Sequence, residues 1–246
     1  RNRTSPLAFT GNKFEFRAVG SNQSCAGSNV ALNTITAWGI DMVCTEIEKA
    51  RAKGMDFNAA LGSVLKALFK KHQRVIFDGD NYSAAWRAEA ARRGLPCAMT
   101  TPEALTALKR PETVALFTKY GVFTERELLS RHDIYQETYD KTILIEASCA
   151  LQMVRTLIAP AGLDYASMLA GGGKAAPVAR LAKRVNTLVG RLLTTAETLE
   201  AAIAKHQIAG ALKAMAAARA AADELETLVP ADRWPLPTYS EMLFMG

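Results

Sequence analysis

Four cationic side chains and one carboxylate crowd the first seventeen residues: Arg1, Arg3, Lys13 and Arg17, with Glu15 among them. The run Lys13-Phe14-Glu15-Phe16-Arg17 alternates charge and ring. A period of two predicts a short strand with its three charged groups on one face and both rings on the other. Neighbours on one strand face lie roughly 6 to 7 Å apart, from a rise of about 3.3 Å per residue. At that spacing Glu15 can offer oxygen to a hard divalent cation while Lys13 and Arg17 reach two different anionic groups of a substrate. The turn Thr10-Gly11-Asn12 reads as a hairpin tip, with Leu7 to Phe9 as the incoming strand. A lone carboxylate does not hold a metal, so such a site needs further ligands from elsewhere. The same residues also read as an exposed strand face whose charges pair with one another. Both readings stand on the residues alone.

The elements that would position this stretch are mostly helical. A small-residue loop, Gly20 to Asn29, leads to a helical pattern from Val30 to near Gly54, carried by Leu32, Ile35, Ile40, Val43 and Ile47. A second helix is expected from Asp56 to Lys71, with Ala60, Leu61, Val64, Leu65 and Leu68 as its apolar series. Both are apolar enough to cover a sheet. The segment Arg74 to Tyr82 turns acidic at Asp78 and Asp80, but no Glu follows at calcium-loop spacing, so a helix cap is the better reading. A domain boundary is placed here, dividing residues 1–75 from 76–246. A helix from Ser83 to Arg93 should stop at Gly94, and Thr101-Pro102-Glu103 offers the next helix start. Thr124-Glu125-Arg126-Glu127 is a capping box opening a helix expected to run to Ile158, before Pro160 and Gly162. Its polar residues Arg131, His132, Asp133, Glu137 and Asp140 fit a solvated or subunit-facing surface better than a site.

Gly171-Gly172-Gly173-Lys174 lacks the spacing and the Ser or Thr of a phosphate loop and reads as a linker. Beyond it Val178, Leu181, Val185, Leu188, Leu192 and Leu199 form a heptad seam. Ile208, Leu212, Met215, Ala222, Leu225 and Val229 suit a partner helix folding back antiparallel after a break near His206 to Gly210. The prolines of Trp234-Pro235-Leu236-Pro237 exclude a continuous helix, so the tail should dock, on its own fold or on a neighbouring subunit. The fold class expected is α+β, predominantly α-helical, ending in an antiparallel helical hairpin.

Bulk properties narrow the function classes. The 246 residues are 49% hydrophobic, enough for a globular core, and the net charge of +6 is spread without a basic run, which argues against nucleic acid. Cys25, Cys44, Cys97 and Cys149 are far apart and show no zinc-ligand spacing, as expected of free thiols in a reducing, cytoplasmic setting. No apolar stretch approaching about 20 residues is evident, so no membrane span is expected. The chain opens on Arg1 without a Met, inside what reads as a motif, and is expected to be the C-terminal part of a longer polypeptide.

Asn2-Arg3-Thr4-Ser5-Pro6 followed by Gly11-Asn12-Lys13-Phe14-Glu15-Phe16-Arg17 resembles the catalytic core of the glutamine synthetases, in their type III form. The likeness extends through Val75 to Asp80, Arg93-Gly-Leu-Pro96, Thr101 to Leu105, Tyr120 to Thr124 with Ser130-Arg131, and the closing Trp234-Pro-Leu-Pro-Thr-Tyr239. The resemblance implies ATP-dependent ligation of glutamate with ammonium through γ-glutamyl phosphate, with Mg²⁺ or Mn²⁺, at a site shared between subunits of a dodecamer of stacked hexamers. It implies that Glu15 is a metal ligand, that Arg17 holds the glutamate carboxylate, and that Arg3 contacts the phosphoryl groups or acyl phosphate as a catalytic residue. Lys13 falls where a basic group near the nucleotide phosphates is implied. Such roles suit phosphoryl transfer, which spreads charge over oxygens that cations stabilise. The chain departs from the type I pattern at Ala8, where a second Arg stands, and in a shorter turn before Lys13. The other metal ligands, the ammonium-site acid and the glutamate-gating loop are implied to lie upstream, so residues 1–246 alone are expected to be inactive. The alternative reading is a non-enzymatic helical assembly module, on the strength of the heptad seam and the Ala-rich hairpin.

Overall fold

The computed structural model describes residues 6–17, 20, 23–172 and 175–244. Among them two short strands pair antiparallel and nearly everything else is helical, an α+β fold dominated by helix. The chain forms two compact units, Arg1–Ile134 and Tyr135–Gly246.

In the first unit β1 (Leu7–Phe9) pairs with β2 (Phe14–Phe16), with Leu7 opposite Phe16, Ala8 opposite Glu15 and Phe9 opposite Phe14. The tip closes when the Thr10 amide donates to the Lys13 carbonyl at 2.9 Å, with Gly11 at φ +101°, a conformation that glycine adopts without strain. The Arg17 amide extends the ladder by donating to the Pro6 carbonyl at 2.8 Å.

Helix α1 (Ala26–Ala52) begins four residues before the expected Val30, because Ala26-Gly27-Ser28-Asn29 joins the helix instead of remaining loop. Helix α2 (Phe57–His72) is capped by Asp56, whose carboxylate accepts from the amides of Asn58 and Ala59. Helix α3 (Ala84–Arg92) is capped by the Ser83 hydroxyl. Helix α4 (Thr101–Leu105) takes Thr100 as its cap, one residue before the expected Thr101. The reason is the capping box: its acid sits three residues after the cap, and Glu103 accepts from the Thr100 amide. Helix α5 (Pro111–Lys119) completes the set before α6 (Glu125–Met153), within which the boundary between the units falls.

Polar and aromatic clamps join these helices. Asp41 on α1 accepts from the Lys119 ammonium at 2.5 Å and from the Tyr120 hydroxyl at 2.8 Å. Arg93 lies 5.4 Å over the Trp86 ring and donates to the carbonyls of Arg74 and Ile76, while Phe77 stacks on Trp86 at 4.1 Å. This arrangement ties the irregular 74–77 segment onto α3. Buried side chains are sparse here: among the described residues of this unit they are Thr34, Ala60, Ala90, Phe117 and Leu128.

The second unit is built on a core. Helix α6 does not stop at Pro160; it passes through one π turn, Val154–Ile158, into α7 (Ala159–Gly171). The Ala159 amide donates to the Val154 carbonyl five residues back, so the ladder widens just where the proline ring would crowd the preceding turn. Gly162 does not end the helix either. It lies against both α8 (Ala176–Ala204) and α9 (Ile208–Glu226), and a Cβ there would stand 2.6 Å from Val189 Cγ2 and 2.9 Å from Leu225 Cδ2. Small size at this point permits close approach of three helices. The helix from Glu125 to Gly171 is, among the described residues, the one long and apolar enough to cross a membrane by length and composition, contrary to the expectation of none; its Val154, Ile158 and Ala166 are spent on the core of this unit.

The heptad seam of α8 is confirmed at its centre, with Val185, Leu188, Leu192 and Leu199 all buried. The partner face of α9 keeps Leu225 and Val229 of the expected series, with Met215 and Ala222 packed at its edge, but is otherwise made of alanines. Ala211, Ala214, Ala218, Ala221 and Leu225 are buried, whereas Leu212 is exposed. Methyl-sized side chains let α9 lie against the large residues of α8, so the alanine stripe wins over the larger but sparser apolar set. His206 at φ +52° makes the turn between the two helices. Trp234 docks in the core of its own unit with Leu236 beside it. Past Pro237, α10 (Tyr239–Leu243) opens with a Thr238–Glu241 capping box and leaves Tyr239, Leu243 and Phe244 exposed.

Candidate functional site

The hairpin of β1 and β2 presents two unlike faces. Phe9, Phe14, Leu7 and Phe16 stand on one, with the rings of Phe9 and Phe14 5.2 Å apart, and all four are exposed. Glu15 and Arg17 stand on the other and are half-buried, each side chain 20% exposed. That distribution is the reverse of what an isolated strand pair in water adopts, where the apolar face is the covered one. Glu15 is placed opposite Ala8, whose small side chain leaves the carboxylate room.

Arg17 Nη2 donates to Glu15 Oε2 at 2.6 Å. This is a short charge-assisted bond between groups two residues apart on one strand face. The structure therefore brings Glu15 and Arg17 together as the period-2 pattern predicts. Lys13 is left in the turn, exposed, because β2 begins only at Phe14. Arg3 lies outside the described residues. No group of three or more His, Cys, Asp or Glu that could hold a metal ion occurs among the described residues. Glu15 is a hard oxygen donor and fits one ligand of a divalent cation, but a complete metal site does not form from the described residues.

Other charged groups meet in ways that spacing along the sequence does not show. Asp41 is held below the usual carboxylate range by hydrogen bonds from Lys119 and Tyr120, the ammonium charge adding to them. Glu89 is pushed down to about 2 by hydrogen bonds from Arg92 and Arg93. Asp133 is lowered by its bonds to His132 and then Lys109, so the polar patch expected as surface on α6 is an exposed ion-pair group. Arg155 in the π turn grips Glu200 of α8 bidentately, at 2.7 and 2.6 Å. Each of these contacts joins side chains or elements already placed by the fold.

Residues 60–176 match the family described as glutamine synthetase C-terminal domain. Along 271 aligned residues, covering 100% of the chain, it is 34% identical to the type-3 glutamine synthetase of Dictyostelium discoideum. It is 29% identical over 272 residues to a glutamine synthetase of Bacteroides fragilis (strain YCH46), and 31% identical over 266 residues to one of Butyrivibrio fibrisolvens, with 99% of the chain covered in both. The chain is thus similar to glutamine synthetases along its length, and its middle to their C-terminal domain. It spans 37 to 38% of the length of these relatives. The C-terminal-domain match runs from α2 to the first residue of α8, while the alignment to the type-3 glutamine synthetase takes in the whole chain and with it the hairpin.

Proposed function

We propose that the full-length protein is a glutamine synthetase, ligating L-glutamate and ammonium at the expense of ATP through γ-glutamyl phosphate, and that this chain supplies one wall of its site. The observation that carries the proposal is the half-buried Glu15–Arg17 pair, on a strand of a chain alignable along its whole length with glutamine synthetases. Arg17 has the planar fork that grips a carboxylate by two parallel hydrogen bonds, and is assigned the substrate glutamate. Glu15 is assigned one bond to Mg²⁺ or Mn²⁺, the remaining ligands coming from residues outside this chain. The cation, when bound, supplies positive charge to the phosphoryl oxygens. Arg3 and Lys13 are assigned to the phosphates, where cationic side chains stabilise the charge that develops in transfer. In this reading residues 1–75 complete a catalytic domain, residues 76–246 form a helical domain, and the exposed rings of the hairpin are covered by the rest of the protein. Assembly as a dodecamer of stacked hexamers in the cytoplasm belongs to the same proposal.

The test is glutamine formation by the full-length protein with Glu15→Ala beside the wild type. Loss of activity with the oligomeric mass unchanged is expected. Undiminished activity in Glu15→Ala removes the assignment.

A further inference from the structure

We infer that the outward face of the α6–α7 helix is a two-fold contact with a second copy of this chain, the two helices running antiparallel. The inference rests on the assembly proposed above, and goes beyond it in naming the surface through which two copies meet.

This helix is apolar on two sides. Ile143, Ala147, Val154 and Ile158 point inward and are buried. Of its 18-residue window apolar enough to cross a membrane, only 28% is buried, so much apolar surface is left facing outward. Ile145 is 66% exposed, and Cys149, Met153 and Pro160 are exposed with it. A helix apolar on both sides is stable where both are covered.

Spacing makes the outward face one continuous stripe. Lys141, Ile145 and Cys149 follow at intervals of four, as do Thr156, Pro160 and Asp164 on the other side of Gln152 and Met153, and all of them are exposed. In an uninterrupted α-helix each step of four turns the face by about 40°. The π turn, Val154–Ile158, takes in an extra residue and turns the face back.

The stripe also reads alike in both directions. About a point between Gln152 and Met153, Cys149 matches Thr156, Ile145 matches Pro160 and Lys141 matches Asp164. A two-fold axis through that point sets each residue opposite its match in the second copy, as a self-complementary contact requires. Lys141 then meets Asp164 of the second copy, whereas a parallel pair would set lysine on lysine and aspartate on aspartate. Within its own chain Lys141 holds Glu137 at 2.6 Å in a mostly exposed pair, and Asp164 makes no ion pair among the described residues. Exposed charges of this kind fix orientation more than affinity. Gln152 and Thr156, at the centre, favour protein over lipid as the covering surface, since an amide in hydrocarbon has no partner.

The experiment is disulfide cross-linking of the full-length protein with its native cysteines replaced by Ser. At the axis, helices packed roughly 8 to 10 Å apart bring facing Cα atoms within reach of a disulfide. Gln152→Cys and Met153→Cys are therefore each expected to give a covalently linked pair of chains on mild oxidation, read by non-reducing electrophoresis. Lys141→Cys alone and Asp164→Cys alone are expected to give none, because the two copies of either residue stand about 35 Å apart along the helices. Co-expressed, these two variants are expected to cross-link to each other. Absence of a linked pair from both Gln152→Cys and Met153→Cys overturns the contact, and so does linkage of Lys141→Cys to itself. Sedimentation of the wild type with phosphatidylcholine vesicles would make the face a lipid-binding one and overturn it as well. Glutamine formation, assayed on the same preparations, separates this inference from the proposed function. Cross-linking without activity removes the ligase and leaves the contact, and activity without cross-linking does the reverse.

Discussion

Helix α8 sends Val185, Leu188, Leu192 and Leu199 against the alanine face of α9, and all four are buried. On α1 and α2, by contrast, Ile40, Leu65 and Phe69 line an almost wholly apolar groove of about 550 Å³ and remain exposed, Phe69 by 68%. The two units carry comparable apolar patterning, yet only the second closes on itself. Unit two is a self-contained packing problem solved by helix against helix. Unit one holds its helices with a few clamps, such as Asp41 with Lys119 and Arg93 with Trp86, and leaves its apolar faces open. The relatives are more than twice as long as this chain, and the function proposed above has the open faces of the first unit covered by further chain.

The contrast breaks most readily at the centre of the second unit. Leu192 is fully buried between α8 and its neighbours, and Leu192→Ala should lower the stability of that unit by about 2 to 5 kcal/mol, read by calorimetry of this chain. Near-silence of that substitution would mean that α8 is not packed as described. Gly162→Ala tests the same core from the opposite direction. The new methyl group would meet Val189 and Leu225 well inside contact distance, and overpacking of this kind costs about 1 to 3 kcal/mol. An unchanged melting transition would place α7 farther from α8 and α9 than 2.6 Å of clearance allows.

In the first unit the corresponding change should be almost invisible. Phe69→Ser removes an exposed ring and is expected to alter the stability of this chain by no more than about 0.5 kcal/mol. The same substitution in the full-length protein should cost distinctly more, because the groove is then covered. Equal effects in both settings would deny that coverage.

The smallest effect concerns the clamp on α3. With its carboxyl held at about 2 against an ordinary 4.5, Glu89 favours the folded state above pH 4.5, and that contribution is lost as the pH falls toward 2. An NMR titration should place the Glu89 midpoint near 2 in the wild type and closer to 4.5 once Arg92 and Arg93 are both replaced by Met. A wild-type midpoint at the ordinary value would show that these bonds do not persist in solution.

Local chemistry was the legible part of this molecule. Thr124 caps α6 through the capping box its residues spell, since a cap is decided within three residues, whereas α3 is capped by Ser83 and Asp80, read as a cap with Asp78, accepts from the Tyr82 amide instead. The pairing of Glu15 with Arg17 follows from the alternation of β2, and Lys13 falls off the strand because the hairpin closes one residue later than the alternation suggests. What needs the third dimension was not legible. A proline ordinarily ends a helix, and nothing local announces the π turn that carries the chain past Pro160. The choice of the alanine stripe on α9 depends on the bulk of α8 facing it. Asp41 and Lys119 meet across 78 residues of sequence, and neither spacing nor composition joins them. The Glu15–Arg17 bond itself was open to two readings, a substrate site or a pair of mutually satisfied charges, and the structure shows the pair in contact.

The most direct measurement is ATP-dependent glutamine formation from glutamate and ammonium, assayed side by side for the full-length protein and for residues 1–246 alone. Activity in the first and none in the second is expected, because the proposed function makes Glu15 and Arg17 only one wall of the site, and no group of three or more metal-type ligands occurs among the described residues. Glutamine formed by residues 1–246 alone, or none formed by the full-length protein, would contradict it.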